Sequence, residues 1–443
     1  MCEHRGVEGE PWSDRCGSAM GDADGGHALR VLTLNCWGVP GTPSRAKRLA
    51  AIGIALRHRA FDVVCLQEVW LASDVDRVVE FASPALPYAH WFRGGFVGSG
   101  LLTLSRHPIV ATSFHRYTLN GTPWDVAGAD WFGAKGVGLV RVALPRDEGG
   151  GTADVYNTHL IARYDGWAKG AFEDYRAHRL AQALELASFV ACVSGGGPAA
   201  AVVVAGDLNA TADQWVLRVL RAVAGLRDAH VGEGDDASEG ATCCGDNTWA
   251  HAEDAACPRR LDYVLYMHPH GRVQSGAQVC MRCVGEDGSS PGETDAATGF
   301  LPLGTSFSDH FGVAATVGVV SPYPARSAAE AYDEGMEEVT STLRRAFDVG
   351  LRLASARRLR HAGHAAAGIA AWLACLWTQT LHATPLALGV ISFGAAGYAT
   401  VHLLVAVLHG LDERNGLLHA AAHALRLPDA HAGRVPPPSM PTP

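Results

Sequence analysis

The chain has 443 residues, with 36 basic and 45 acidic side chains, a formal net charge of −9 and an apolar fraction of 48%. That length accommodates one large domain with appendages, or two domains, in a globular protein. The acidic balance argues against a nucleic-acid partner, since affinity for a duplex comes mainly from cationic contacts to phosphate.

Residues 1–28 are polar, Gly-rich and acidic, a loose tail and not an apolar leader. Eleven scattered cysteines imply free thiols in a reducing compartment. Cys280 and Cys283 have C-x-x-C spacing, but no second pair or histidine stands at a convincing zinc-ligand distance.

Arg30 to Leu34 opens as a strand and breaks at Asn35-Cys36-Trp37-Gly38. Arg45 to Arg59 carries a helical stripe of Leu49, Ile52 and Leu56. Asp62 to Glu68 reads as a buried strand ending in a carboxylate, Glu68, which is either a solvated terminus or an acid held inside. Phe96 to Leu104 is Gly-rich and then strand-like. Asp130 to Gly136 leads into an apolar run, Val137 to Val142, so Lys135 precedes a strand. Ala153 to Thr158 gives a further strand, followed by His159. A long amphipathic helix from Phe172 to Cys192 precedes the stretch V-V-V-A-G-D-L-N, Val202 to Asn209. Its small and β-branched residues describe a strand covered on both faces. Gly206 is expected to end it, so Asp207 and Asn209 emerge at its tip as a metal or phosphate station or as an Asx-type turn. Leu261 to Tyr266 is strand-like with Asp262 near its start, and Ser308-Asp309-His310 precedes the strand Phe311 to Val320. Strands interleaved with helices, each delivering polar groups at one end, predict an α/β sandwich of two sheets with a site along one edge.

Beyond Pro322 the character changes. Ala328 to Arg360 is a charged helical stretch with Arg344, Arg345, Arg352, Arg357, Arg358 and Arg360 in its later part. The 51 residues from His361 to Leu411 contain no Asp, Glu, Lys or Arg. Two spans of about 20 residues fit within them, with Thr384-Pro385 as the hairpin tip. The alternative is a buried soluble helix in the first half. Arginines crowd the entry and none lies in the turn, so both ends and the catalytic region are expected in the cytosol. The segments then run as a tail at 1–28, a catalytic domain at 29–320, an Arg-rich juxtamembrane helix at 321–362, two membrane helices at 363–410 and a Pro-rich tail at 411–443.

Oxygen ligands without thiolates suit Mg²⁺, and two histidines with a lysine suit hydrolysis of a phosphodiester. The motifs Asn35-Cys36-Trp37-Gly38, Gln67-Glu68-Val69-Trp70, Lys135-Gly136-Val137-Gly138, Thr158-His159-Leu160, Gly206-Asp207-Leu208-Asn209, Leu261-Asp262-Tyr263-Val264-Leu265-Tyr266 and Ser308-Asp309-His310 resemble, in that order, the endonuclease/exonuclease/phosphatase superfamily. More narrowly they resemble the neutral sphingomyelinases, in the branch with two C-terminal transmembrane helices.

The resemblance implies a four-layer α/β sandwich of the deoxyribonuclease I-like type. It implies that Glu68 is the principal Mg²⁺ ligand, with Asn35 beside it and Asp309 in the metal network. His310 would be the general base oriented by Asp262, Asp207 and Asn209 would position nucleophile and phosphate, and His159 would stabilise the pentacovalent phosphate. Asp130 and Lys135 match an aspartate–lysine pair that acts as a switch. Trp124, Trp131 and Phe132 beside it are either membrane-interface aromatics or core residues. The expected substrate is a membrane sphingophospholipid, cleaved to ceramide and phosphocholine, with anionic lipids as partners of the six arginines. Alternatives are an inositol phosphosphingolipid phospholipase C, a phosphoinositide phosphatase or nuclease of the same superfamily, or a catalytically dead scaffold. The Gly- and Cys-rich stretch from Gly232 to Pro258 departs from the animal enzymes and leaves the head group open.

Overall fold

The computed structural model describes residues 28–95, 97–123, 130–145, 150–163, 175–195, 197, 199–230, 240–267, 271–285, 301–319, 336–381 and 386–431. The expected N-terminal tail up to residue 27, Trp124, the hairpin tip at Thr384-Pro385 and the last twelve residues lie outside these.

Twelve strands form two six-stranded sheets. The first contains β1 (Ala28–Asn35), β2 (Val63–Gln67), β3 (Tyr88–Phe92), β4 (Leu101–Ser105), β11 (Arg272–Cys280) and β12 (Gly312–Gly318), in the order β11-β12-β1-β2-β4-β3. The second contains β5 (Ile109–Arg116), β6 (Gly136–Ala143), β7 (Thr152–His159), β8 (Ala201–Asp207), β9 (Leu226–Asp228) and β10 (Asp262–Met267), in the order β5-β6-β7-β8-β10-β9. Helices α1 (Arg45–Arg57) and α2 (Ala72–Ala82) cover the outer face of the first sheet, while α3 (Arg176–Ser194) and α4 (Trp215–Ala224) cover the second. This is the expected four-layer sandwich. A five-residue helix, α5 (Ala252–Ala256), lies within the Cys-rich stretch.

Period-two alternation decides which side chains meet between the sheets. Along β8, Val202 and Val204 pack towards α3 and α4, whereas Val203 and Ala205 join the core between the sheets. The same alternation puts Val31, Cys65, Val155 and Val264 between the sheets. Two residues further along each strand, or two back on β10, come Thr33, Gln67, Asn157 and Asp262, and the same inner face continues to Asn35, His159 and Asp207. The sheets are therefore joined by apolar contacts at one end and by polar side chains at the other. Asn157 stitches them directly: its Nδ2 donates to Leu66 O (3.1 Å) and Leu102 O (3.2 Å), and its Oδ1 accepts from Gln67 Nε2 (2.8 Å).

Gly206 does not end β8, contrary to the expectation from sequence. It lies within the strand, paired with Thr158 and Tyr263, and a Cβ there would stand 2.0 Å from Thr158 O. The glycine permits a close approach between neighbouring strands and so sets the position of Asp207.

After β12, α6 (Met336–Leu381), α7 (Leu386–Leu404), a π turn at Val405–His409 and α8 (Gly410–His431) complete the described chain. The segment expected to begin the Pro-rich tail is thus helical as far as His431. Met336, Val339, Leu343 and Phe347 from α6 and Leu417, Ala420 and Ala424 from α8 join the core beside α3 and α4. Among the described residues one helical stretch, Val390–Ala424, is long and apolar enough to cross a membrane by length and composition. Arg344, Arg345, Arg352, Arg358 and Arg360 are exposed on α6, but Arg357 is buried and paired with Glu413. Arg357 therefore cannot join the arginines expected to meet anionic lipid, because its guanidinium is held inside the protein.

Gly206→Ala is expected to destabilise the protein by about 1–3 kcal/mol, the usual cost of overpacking a tight core. Thermal unfolding checks it: an unchanged midpoint would show that β7 and β8 separate freely.

Candidate active site

In register across three neighbouring strands, His159 on β7 pairs with Asp207 on β8, which pairs in turn with Asp262 on β10. Paired residues point their side chains to the same face, so the three meet on the inner face of the second sheet. From the first sheet, Asn35 reaches across: its Nδ2 donates to Glu68 Oε1 (3.0 Å) and to Asp207 Oδ2 (3.1 Å). One carboxamide thus bridges two carboxylates from different sheets.

Glu68 follows β2 in a left-handed conformation with φ of +59°, and Trp37 (+48°) and Asn209 (+47°) share that region. Non-glycine residues there are strained and are kept by their surroundings. Gly38 makes room for Glu68, since a Cβ on it would lie 2.0 Å from Glu68 O. Arg48, which the helical stripe did not single out, holds this loop in place. Its guanidinium donates to Cys36 O (2.8 Å), Trp37 O (2.8 Å) and Phe307 O (3.2 Å), tying the segment after Asn35 to the one before Asp309.

His310 Nδ1 donates to Asp262 Oδ2 at 2.8 Å. Asp207, Asp262 and His310 each offer one ligand atom, all within 4.8 Å of one another. Asp309 is held by Ser308 Oγ at 3.1 Å. Asn209 donates its Nδ2 to Leu160 O (2.9 Å) and its backbone N–H to Asp207 Oδ1 (2.8 Å), which fixes the carboxylate. Lys135 Nζ, 2% exposed, gives its three hydrogens to Asp130 Oδ1, His159 Nε2 and Leu160 O, each at 3.0 Å. Because an ammonium only donates, His159 Nε2 accepts, and the ring's hydrogen sits on Nδ1. That atom is buried with no hydrogen-bond partner among the described residues, a donor left for a ligand oxygen.

The carboxylates strain against one another. Loss of hydration, followed by repulsion from Asp309, pushes the Glu68 carboxyl up to about 7. Burial and the facing Asp262 push Asp207 up to about 6. Asp309 is also raised, chiefly by burial. Burial and the Lys135 charge hold His159 well below the ordinary histidine value, so it is neutral. At His310 burial acts downward, yet the facing Cys243 and Asp262 raise it well above the ordinary value. Burial pushes the Cys243 thiol up to about 11, so at neutral pH the thiol is uncharged and Asp262 supplies the attraction. Glu68 Oε2 and Asp262 Oδ1 are buried without hydrogen-bond partners among the described residues. Crowded carboxylates with orphaned oxygens fit a hard divalent cation.

All ten site residues named from the sequence fall in this cluster. Asn157, another polar residue near a strand end, belongs to the inter-sheet stitch. Cys243, beside His310, was not singled out as a neighbour of the base. The aromatics divide: Trp131 is 37% exposed and meets Phe132 edge-on with ring centroids 5.1 Å apart. Among the described residues the nine cysteines form no disulfide, and none joins a metal-ligand group.

A two-sheet sandwich with acid, imidazole and ammonium groups converging at one strand edge defines a phosphoester-cleaving hydrolase. The chain belongs to the Endonuclease/Exonuclease/phosphatase family, which matches residues 32–310. Within that family it belongs with the neutral sphingomyelinases. Human sphingomyelin phosphodiesterase 2 is 34% identical over 338 residues, covering 74% of this chain and 74% of the relative. The inositol phosphosphingolipids phospholipase C of Schizosaccharomyces pombe is 28% identical over 329 residues, covering 69% of this chain and 72% of that one. The crystal structure of beta toxin from Staphylococcus aureus, 18% identical, superposes with a TM-score of 0.50 over 65% of this chain and 99% of that one, a likeness of fold.

A carboxyl whose folded pKa is raised stabilises the protein fully below its ordinary value, and that contribution is lost as pH rises through the folded value. For Glu68 the window runs from 4.5 to about 7. Metal-free protein is expected to lose thermal stability across that window, and Glu68→Gln should flatten the loss. Melting curves on chelator-treated protein measure both; an equal slope in the variant would contradict the burial of charge at Glu68.

Proposed function

We propose that the chain is a Mg²⁺-dependent phospholipase C that hydrolyses a sphingophospholipid, releasing ceramide and a phosphorylated head group. The observation that carries the chemistry is the row His159, Asp207, Asp262 with His310 hydrogen-bonded to Asp262 at 2.8 Å. The lipid class comes from the relatives, whose names specify sphingomyelin and inositol phosphosphingolipids.

In this reading Asp262 orients His310, which takes a proton from the attacking water. The water oxygen bonds to phosphorus, the bond from phosphorus to the ceramide oxygen breaks, and that oxygen leaves as an alcohol after taking up a proton. Neutral His159 donates from Nδ1 to a phosphoryl oxygen, and Lys135 behind it adds positive charge. Asn209 and Asp207 position the nucleophile and phosphate. Glu68, Asn35 and Asp309 would hold the cation. When bound, Mg²⁺ would neutralise the crowded carboxylates, lower the proton affinity of His310 and offset charge on the phosphoryl oxygens.

The exposed apolar residues of the C-terminal helices support a membrane anchor. Trp377 is 69% exposed on α6 and Phe393 83% on α7, more apolar surface than a water-soluble helix pair presents. Gly368 lets the two helices approach closely, since a Cβ on it would lie 2.9 Å from Ala399 Cβ, the small-residue contact of packed membrane helices. We read both helices as spans forming a hairpin. The Arg-rich end and the catalytic domain would then face the cytosol, and Arg344, Arg345, Arg352, Arg358 and Arg360 would meet anionic lipid head groups.

Glu68→Ala and His310→Ala are each expected to lower phosphocholine release from sphingomyelin by about a hundredfold or more, with the fold intact by circular dichroism. Chelation should abolish turnover and Mg²⁺ restore it. Products from sphingomyelin, inositol phosphoceramide and lysophosphatidylcholine, compared by mass spectrometry, rank the head groups. Wild-type rates in both variants would overturn the assignment of roles.

A further inference from the structure

A polar chain runs from the C-terminal helix to the backbone of Gly121, which lies beside Asp130. Along one stripe, His409, Glu413 and Gly416 are spaced four and three residues apart, so they share a helix face. Of these, His409 lies against the segment carrying Asp130 and Lys135, and Gly416 against residues 118 and 119. His409 meets Trp131 edge-on, with ring centroids 6.3 Å apart at 82°. At Gly416 a Cβ would stand 2.7 Å from Leu119 Cδ2 and 3.1 Å from Thr118 Cγ2, so the bare backbone lets α8 lie against residues 118 and 119.

Glu413 is 1% exposed and is held by two buried partners, Arg357 on α6 and His178 on α3. His178 Nδ1 accepts from the backbone N–H of Gly121 at 3.3 Å, so its hydrogen is on Nε2 and is donated to Glu413 Oε1 at 3.0 Å. Gly121 has φ of +82°, and a Cβ on it would stand 3.6 Å from Asp130 Cβ. Asp130 holds Lys135, and Lys135 holds His159. A buried carboxylate is costly to keep where apolar packing would serve, and the same helix packs through Leu417, Ala420 and Ala424 elsewhere. At Glu413 it instead presents a charge whose hydrogen-bond chain runs through His178 to the backbone of Gly121, beside Asp130.

We propose that Glu413 is a positioning residue for the phosphodiesterase reaction. Through His178 and Gly121 it fixes Asp130, and thereby the Lys135 ammonium. The helix continuing from the apolar span then regulates the placement of the catalytic groups, and the anchor and the active site form one mechanical unit. This rests on the reading above in which Lys135 and His159 face the phosphate.

The test is a double-mutant cycle on the full-length protein in detergent micelles: wild type, Glu413→Ala, Asp130→Ala and the pair. The substrate is whichever diester of the panel the wild type turns over fastest, so a wrong head group does not enter the result. Glu413→Ala is expected to lower kcat about tenfold with KM within about twofold. With Asp130→Ala already present it should cause no further loss. Glu413→Gln, which still accepts from His178, should keep about a third or more of wild-type kcat. Losses that multiply in the double variant, full kcat in folded Glu413→Ala, or equal losses for Gln and Ala would each overturn the proposal. Where Glu413→Ala does not accumulate, Gly416→Ala enters the same cycle, because its added methyl meets the ends of the Leu119 and Thr118 side chains; the same non-additivity supports the proposal and multiplied losses refute it.

Discussion

Four carboxylates, Glu68, Asp207, Asp262 and Asp309, stand close together where the two sheets end, and the neighbouring cations, His310 foremost, offset them only in part. Lys135 is taken up by Asp130, His159 and a backbone carbonyl. Arg48 binds backbone oxygens. Burial first, and the neighbouring acids after it, raise the carboxyl values of Glu68 and Asp207. Buried like charges of this kind are normally neutralised by protons or by a metal ion. The rest of the site follows from this constraint. Asn35 bridges two of the acids, Asp262 turns its charge on His310, and His159 is kept neutral with a donor to spare.

The fold meets that constraint by making the inner faces of two sheets apolar over most of their length and polar at one end. Because alternation is fixed by the strand period, Val203, Ala205 and Asp207 share a face, and so do Val31, Thr33 and Asn35. The Asn157 amide locks β7 to the first sheet, so the acids cannot relax apart. Behind α3 and α4 lies a further layer of helices, and through His178 and Glu413 that layer reaches the backbone of Gly121. The chain thus combines a family scaffold with C-terminal helices that are packed against it instead of trailing from it.

Much of this was legible in the sequence. The buried strands β1, β2, β6, β7, β8, β10 and β12 are short apolar runs with polar residues at one end or just before it, and the fold places those residues together. The edge strands were not legible: β5 has four consecutive exposed residues, and β3 begins with two, so neither carries the apolar run that marks a central strand. Gly206 was misread because a glycine within a strand looks locally like one that ends it. Arg48 and Glu413 were passed over because their partners are remote; His178 and Glu413 are 235 residues apart. The six arginines of α6 look alike in sequence, and only the position of Glu413 separates Arg357 from the other five.

The central claim is that the acid cluster is a cation site built around Glu68. Anomalous diffraction from crystals soaked with Mn²⁺, a scattering substitute for Mg²⁺, tests it most directly. The account predicts a peak about 2.0–2.3 Å from Glu68 Oε2, lost in Glu68→Ala. A map with manganese elsewhere and none beside Glu68, from crystals of active enzyme, would contradict it.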